Sequence, residues 1–144
     1  MNLLAIETSG PALSVAVKKG KSRVRQAVLK GRMKHVENLI PAIDKLLKKE
    51  RLEIRDIGVF LISRGPGSFT GLRVGFATLK GFLAIRQRPC YGALSLDLIA
   101  RGTAPFVSGE KGCCPFSPLT LAVCINAKRD KLYARSYRFS KNGW

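Results

Sequence analysis

Three strand-length apolar blocks joined by short turns, followed by an abrupt switch to helical spacing, narrow what this chain can fold into more than any other feature. Leu3-Leu-Ala-Ile6 reads as a short buried strand ending at Glu7-Thr-Ser-Gly10. Leu13-Ser-Val-Ala-Val17 alternates in part, Lys19-Gly20-Lys21 supplies a turn, and Arg23 to Leu29 returns to strand chemistry. Turns this short join antiparallel neighbours, so the opening segment predicts a three-stranded meander.

The pattern then becomes helical. Val36, Leu39, Ile40, Ile43, Leu46 and Leu47 recur at the three-and-four spacing of one helix face, with Glu37, Asp44, Lys45 and Lys48 outside it. Pro41 interrupts this run and predicts a kink unless it falls in the first turn. Ile54 to Ser63 is strand-like, and its unbroken Val59-Phe-Leu-Ile62 predicts burial on both faces. Arg64-Gly-Pro-Gly-Ser-Phe-Thr-Gly71 is a loop, after which Ser68 or Thr70 can cap a helix from Gly71 to about Arg86. Cys90 to Ser95 predicts another strand and Leu96 to Ala100 a short helix. Residues 102–118, with Gly102, Pro105, Gly109, Gly112, Pro115 and Pro118, predict a linker. Leu119 to Ile125 and Lys131 to Ser140 then read as two strands around a turn at Asn126 to Asp130.

This order predicts an α/β fold of the ribonuclease-H-like kind over residues 1–101, a mixed five-stranded sheet flanked by helices. Past the linker, residues 119–144 restart the same strand–turn–strand pattern. A lone hairpin buries too little to stand independently and must pack on the first domain or on another chain.

At 144 residues with 46% apolar content there is room for about one domain. No apolar stretch approaches the roughly 18 residues of a membrane span. Met1-Asn-Leu-Leu-Ala-Ile reaches Glu7 without a basic residue, unlike a secretory leader, so a soluble cytoplasmic chain is the expectation. The charge balance is far from even: 26 Lys+Arg against 9 Asp+Glu, a net +17. Such a field suits tRNA, rRNA or an anionic membrane surface, and equally an acidic partner protein or a lysine-rich surface. Lys18 to Lys34 carries Lys18, Lys19, Lys21, Arg23, Arg25, Lys30, Arg32 and Lys34 with no acid among them.

Cys90, Cys113, Cys114 and Cys124 fall in no C-x-x-C spacing, and the single histidine, His35, is remote in sequence, so zinc ligation is not expected. Gly65-Pro-Gly67-Ser-Phe-Thr-Gly71-Leu-Arg-Val-Gly75 sits where phosphate loops occur, between a strand and a helix, yet it has neither P-loop ending nor dinucleotide fingerprint. Its amides can hold an anion at the helix start, which makes Glu7, Thr8, Ser9, Arg64, Gly65, Gly67 and Ser68 a candidate anion or nucleotide loop. The plainer reading is that Gly65 and Gly67 permit an unusual turn around Pro66. Gly71, Gly75, Thr78 and Phe82 share one helix side, and glycines four apart favour tight packing of another helix. Glu7 occupies the strand-end position at which nucleases and phosphotransferases of this architecture carry a metal-binding carboxylate; Asp97 is its one candidate companion.

Ser63-Arg-Gly-Pro-Gly-Ser-Phe-Thr-Gly-Leu-Arg-Val-Gly75 is very similar to the signature of the bacterial TsaB (YeaZ) family. Leu4-Ala-Ile-Glu-Thr-Ser9 resembles that family's opening strand, with Glu7 in place of the usual Asp. Lys34-His-Val-Glu-Asn-Leu-Ile-Pro41 resembles its His-x-x-x-Leu-x-Pro helix start, and Ile125-Asn-Ala-Lys-Arg-Asp-Lys-Leu-Tyr133 the segment that opens its second domain. The resemblance implies an actin-like (ASKHA) ATPase fold and a role in making threonylcarbamoyladenosine beside the anticodon of tRNAs reading ANN codons. It implies a non-catalytic subunit that binds and activates the transferase TsaD, with a TsaE-like ATPase and ATP or ADP in the assembly, and a homodimer in TsaD's absence. Direct contact with tRNA through the basic surface is a further expectation. TsaD holds its metal with a His-x-x-x-His pair, whereas here His35 is followed by Asn38 and Leu39 and no second histidine exists. By the same resemblance the two helices pair with a partner's, which makes Val36, Leu39, Ile40, Ile43, Gly71, Val74, Gly75, Thr78 and Phe82 candidate interface residues. The alternative is a metal- or ATP-dependent nuclease or phosphotransferase centred on Glu7. Family members continue through a full second domain; this sequence reaches only its first hairpin.

Overall fold

The computed structural model describes residues 1–30, 35–107 and 119–139, with side chains described for 1–29, 37–103 and 120–138. Within it the chain divides into two compact units, Met1–Ala93 and Leu94–Trp144.

The first unit is built on a five-stranded sheet. β1 (Asn2–Glu7), β2 (Ala12–Lys18) and β3 (Arg25–Lys30) form the expected antiparallel meander, with Leu4 opposite Val17 and Val15 opposite Ala27. α1 (His35–Lys49) leads to β4 (Ile57–Ser63), and α2 (Phe69–Ile85) leads to β5 (Cys90–Ala93). Both β4 and β5 run parallel to β1, as a strand reached through a helical crossover does, giving the order β3-β2-β1-β4-β5. Antiparallel meander plus two parallel crossover strands is the ribonuclease-H-like arrangement.

Period-two alternation decides which face is packed. Leu4, Ile6, Leu13, Val15, Val17, Phe60 and Ile62 lie on one side of the sheet, under Leu39, Ile43, Leu46 and Leu47 of α1 and Leu79 of α2. In β4, Val59 and Phe60 on opposite faces are both buried, as its unbroken apolar run requires. Pro41 lies on the exposed side of α1, the helix continues through it to Lys49, and the only backbone donor lost is one on the solvent side. Residues 54–56 depart from the expected strand: they form a single 3₁₀ turn, which the Asp56 carboxylate stabilises by accepting from the Glu53 amide at 2.8 Å.

α2 starts two residues earlier than expected, because Ser68 is the cap and its hydroxyl accepts from the Gly71 amide at 3.2 Å. Its inner side is set by missing side chains. A Cβ on Gly71 would run into the Thr8 carbonyl oxygen, and one on Gly75 would lie 2.5 Å from Thr8 Oγ1. The helix therefore rests directly on the backbone leaving β1.

In the second unit, α3 (Ser95–Val107) and the hairpin of β6 (Leu119–Lys128) and β7 (Lys131–Phe139) pack together. The short helix expected at 96–100 is longer, and it takes in the first part of the expected linker; residues 108–118 lie outside the described residues. Leu96 and Ala100 bury against Val123, and the Thr103 hydroxyl donates to the Ile99 and Ala100 carbonyls. The hairpin thus has a helix of its own to pack on. Its turn is also tighter than expected: β6 runs on to Lys128, and Arg129 and Asp130 take φ of 51° and 58°, the two-residue geometry that matches strand twist.

Gly71→Ala forces the α2 backbone off Thr8 and is expected to lower unfolding free energy by about 2–3 kcal/mol in urea denaturation. Gly81→Ala, where nothing lies within 4 Å of the added methyl, is expected to raise it by about 0.5–1 kcal/mol. Equal effects from the two would show that the close approach does not shape the helix.

Candidate functional site

The seven residues of the candidate anion loop come together in one corner, where the exits of β1 and β4 meet the start of α2. Glu7 ends β1 and Ser63 ends β4, side by side in the parallel pair. Glu7 Oε1 accepts from the Ser63 hydroxyl at 2.9 Å and from the Ser9 amide at 2.6 Å, so one carboxylate oxygen both joins the two strands and turns the chain. The Ser9 carbonyl then accepts from the Ser68 amide at 2.7 Å. A side chain on Gly67 would strike that same Ser9 carbonyl. Gly65 takes a left-handed φ of 86°, which glycine adopts without steric cost. Arg64 anchors the loop at the other end: its amide donates to the Ala93 carbonyl at 2.8 Å, and its side chain lies over Gly92 of β5, leaving no room for a Cβ there.

What the corner does chemically follows from where its polar atoms go. Oε1 of Glu7, the Ser9 carbonyl, the Ser68 amide and hydroxyl and the Gly71 amide all bond one another or their immediate neighbours. Thr8 Oγ1 is buried in the glycine notch without a hydrogen-bond partner. The arrangement is a staple that fixes α2 on the sheet. Asp97, the proposed companion of Glu7, is committed within the second unit. Its Oδ1 accepts from Tyr137 Oη at 2.5 Å and Arg135 Nη1 at 3.0 Å, holding α3 on β7. Burial, and then the Asp97 carboxylate that takes its proton in a hydrogen bond, raise the Tyr137 phenol above its ordinary value. Among the described residues no group of three or more His, Cys, Asp or Glu side chains could hold a metal ion. No helix among them is long and apolar enough to cross a membrane. Cys90 and Cys124 are free and exposed; Cys113 and Cys114 lie outside the described residues.

The nine candidate interface residues separate into two sets. Leu39, Ile43, Gly71 and Gly75 face the chain's own interior, the first two in the core and the glycines against Thr8. Phe82 leans inward and stacks on Phe60, ring centroids 6.1 Å apart, and Val74 packs on the same core. Thr78 is half-buried, and the side chain of Val36 lies outside those described. Ile40, 49% exposed, faces out. The correction concerns the glycines: the close neighbour they admit is the strand exit of this chain.

α2 nevertheless carries a second apolar face. Phe69 is 73% exposed and Phe76 41%, seven residues apart and so on one side of the helix, with the exposed Arg73 and Lys80 beside them and the Arg73 guanidinium 5.5 Å from the Phe69 ring; Ile85, 81% exposed, ends the helix on a different side. Sequence reasoning passed over Phe69, Phe76 and Ile85 because the glycine side drew attention. The available signal was a helix with large apolar residues on more sides than one sheet can cover.

The profile of the family described as "TsaD: tRNA N6-adenosine threonylcarbamoyltransferase" matches residues 30–143. The protein "tRNA threonylcarbamoyladenosine biosynthesis protein TsaB" of Escherichia coli is 27% identical over 143 residues, covering 99% of this chain and 58% of its own length. The protein of the same name from Haemophilus influenzae is 36% identical over 133 residues, covering 92% and 52%. Among solved structures, YeaZ from Pseudomonas aeruginosa superposes with a TM-score of 0.81 at 25% identity, over 99% of this chain and 61% of that one. The chain spans about three-fifths of the length of the first of these curated relatives. On this match over most of its length, the chain belongs to the TsaD family and, within it, to the TsaB (YeaZ) members.

Proposed function

We propose that the chain serves in tRNA threonylcarbamoyladenosine synthesis, in the cytoplasm, as a non-catalytic subunit that binds and activates a TsaD-like transferase. The observation that carries this reading is the outward side of α2, with Phe69 and Phe76 exposed together on a helix whose inner face is already occupied. Exposed aromatic residues on a rigid helix are the usual anchors of a protein interface. The printed names of the relatives supply the pathway, and the transferase is the natural sister chain because its family profile matches this one. A TsaE-like ATPase with ATP or ADP completes the assembly, and a second copy of the chain occupies the same helix face when the transferase is absent. Glu7 supports the non-catalytic part of the reading, since its Oε1 is already spent on Ser9 and Ser63.

Co-purification and calorimetry with the TsaD-like subunit at micromolar concentration test the partnership; no complex would end it. Phe76→Glu is expected to weaken the complex by about 2 kcal/mol or more, roughly thirtyfold, without changing the circular dichroism of the chain. Glu7→Gln addresses catalysis. It is expected to cost about 1–2 kcal/mol of stability, because one acceptor is kept, and to leave turnover of the saturated, reconstituted assembly within about twofold. A hundredfold loss of turnover with the complex intact would place Glu7 in the chemistry and overturn the non-catalytic assignment.

A further inference from the structure

We infer that the tip of the β2–β3 hairpin and the last turn of α1 form one phosphate-binding ridge, and that the ridge docks on the backbone of a folded RNA. Between Glu7 and Glu37 the sequence has no acidic residue, and the hairpin concentrates Lys18, Lys19, Lys21, Arg23 and Arg25. The structure joins this tip to the helix through a single acid. Lys19 Nζ donates to the Glu50 carbonyl at 3.0 Å, and Arg25 Nε pairs with the largely buried Glu50 carboxylate at 3.0 Å. The Gly20 amide donates to Asn2 Oδ1 at 3.1 Å, which holds the turn at the start of β1. Register puts this end of the sheet opposite the Glu7 corner, since Lys18 faces Leu3 whereas Ser14 faces Glu7.

With Arg25 tied to Glu50 and Lys48 to Asp44, the charges left on the ridge are Lys18, Lys21, Arg23, Lys49 and Arg51. All five are exposed, and none makes an ion pair among the described residues. A helix C-terminus accounts for Lys48 and Lys49, which complement its dipole. It does not account for Lys18, Lys21 and Arg23 on a hairpin. Cations without neighbouring acids, held on ordered backbone, bind by releasing the counterions of a phosphate chain, whatever its sequence. An anionic bilayer would meet the same charges, but membrane docking also wants an apolar wedge beside them, and at this tip Val24 is the one large apolar residue exposed; Val28 and Leu29, also exposed on β3, lie toward the other end of the hairpin, opposite Ser14 and Leu13. The choice of RNA rests on the proposed function; the placement of the ridge does not.

The test is fluorescence anisotropy of an unmodified tRNA transcript with the full chain, titrated at several salt concentrations. Lys18→Gln, Lys21→Gln and Arg23→Gln together are expected to weaken binding about tenfold or more and to reduce the slope of log affinity against log salt by about two to three. Arg86→Gln, Lys131→Gln and Arg138→Gln together, which remove the same charge elsewhere, are expected to change affinity by less than about threefold. Equal losses from the two triples would leave net charge alone as the cause and overturn the ridge. So would an absence of tRNA binding by the unaltered chain, or a ridge triple that loses phosphatidylserine vesicles but keeps the transcript. Capture by the TsaD-like subunit, measured on the same variants, separates the two readings. A ridge triple still captured while losing tRNA supports the ridge; an unaltered chain that binds tRNA but is never captured supports the ridge and defeats the partnership.

Discussion

Helix α2 can lie directly on the strand exit at Thr8 only because positions 71 and 75 carry no side chain. That approach fixes the rotation of the helix about its axis. Once Gly71, Gly75 and Leu79 point down, helical geometry turns Phe69, Phe76 and Ala77 away from the sheet, and among the described residues they stay exposed. A helix with one mid-helix glycine gives up about 1 kcal/mol relative to alanine. Here the cost is offset by burial of the β1 exit and by the Ser9–Ser68 bond that the close approach permits. The interior contact and the exterior surface are therefore one decision, taken at two glycines.

The Glu7 carboxylate has a related part. Parallel strands β1 and β4 end together, and the groups at such ends lose their ladder partners. Glu7 takes up one of them, the Ser9 amide, and with the same oxygen accepts from the Ser63 side-chain hydroxyl. Aspartate, a methylene shorter, is the residue the family resemblance expects at this position. The longer side chain still reaches Ser63, and the corner closes.

Most of the architecture was legible from the chain. Alternation in Leu13 to Val17, the apolar run in β4 and the serine before α2 each reflect a local rule, and local rules leave traces in sequence. What was not legible depended on contacts distant in sequence. α3 runs beyond its short apolar pattern, and its start is held by Arg135 and Tyr137 on Asp97, about forty residues away. Ile54 looks like a strand residue but turns, since Asp56 folds back on the Glu53 amide. The glycine pair correctly announced a close neighbour, yet spacing cannot tell a partner's helix from the chain's own strand exit. In the candidate loop, residue types could not show that the Ser9, Ser68 and Gly71 amides and the Ser63 hydroxyl would be bonded within the corner; only the bonding pattern did.

Charge and apolar surface are segregated in the first unit, and the segregation has a physical consequence. The outer side of α1 is mostly charged, with Asp44, Lys45 and Lys48 beside Ile40, while the outer side of α2 exposes the aromatic rings of Phe69 and Phe76 between Arg73 and Lys80. The acid-free hairpin lies at the end of the sheet away from the start of α2. Attraction to phosphate acts over a Debye length, about 8–10 Å at physiological salt, and raises the rate of encounter. Packing of aromatic side chains acts only on contact and sets how long a complex lasts. Salt weakens the first and barely touches the second. A chain that keeps the two on separate surfaces can meet a nucleic acid by one mechanism and hold a protein by the other, without either surface compromising the composition that the other needs.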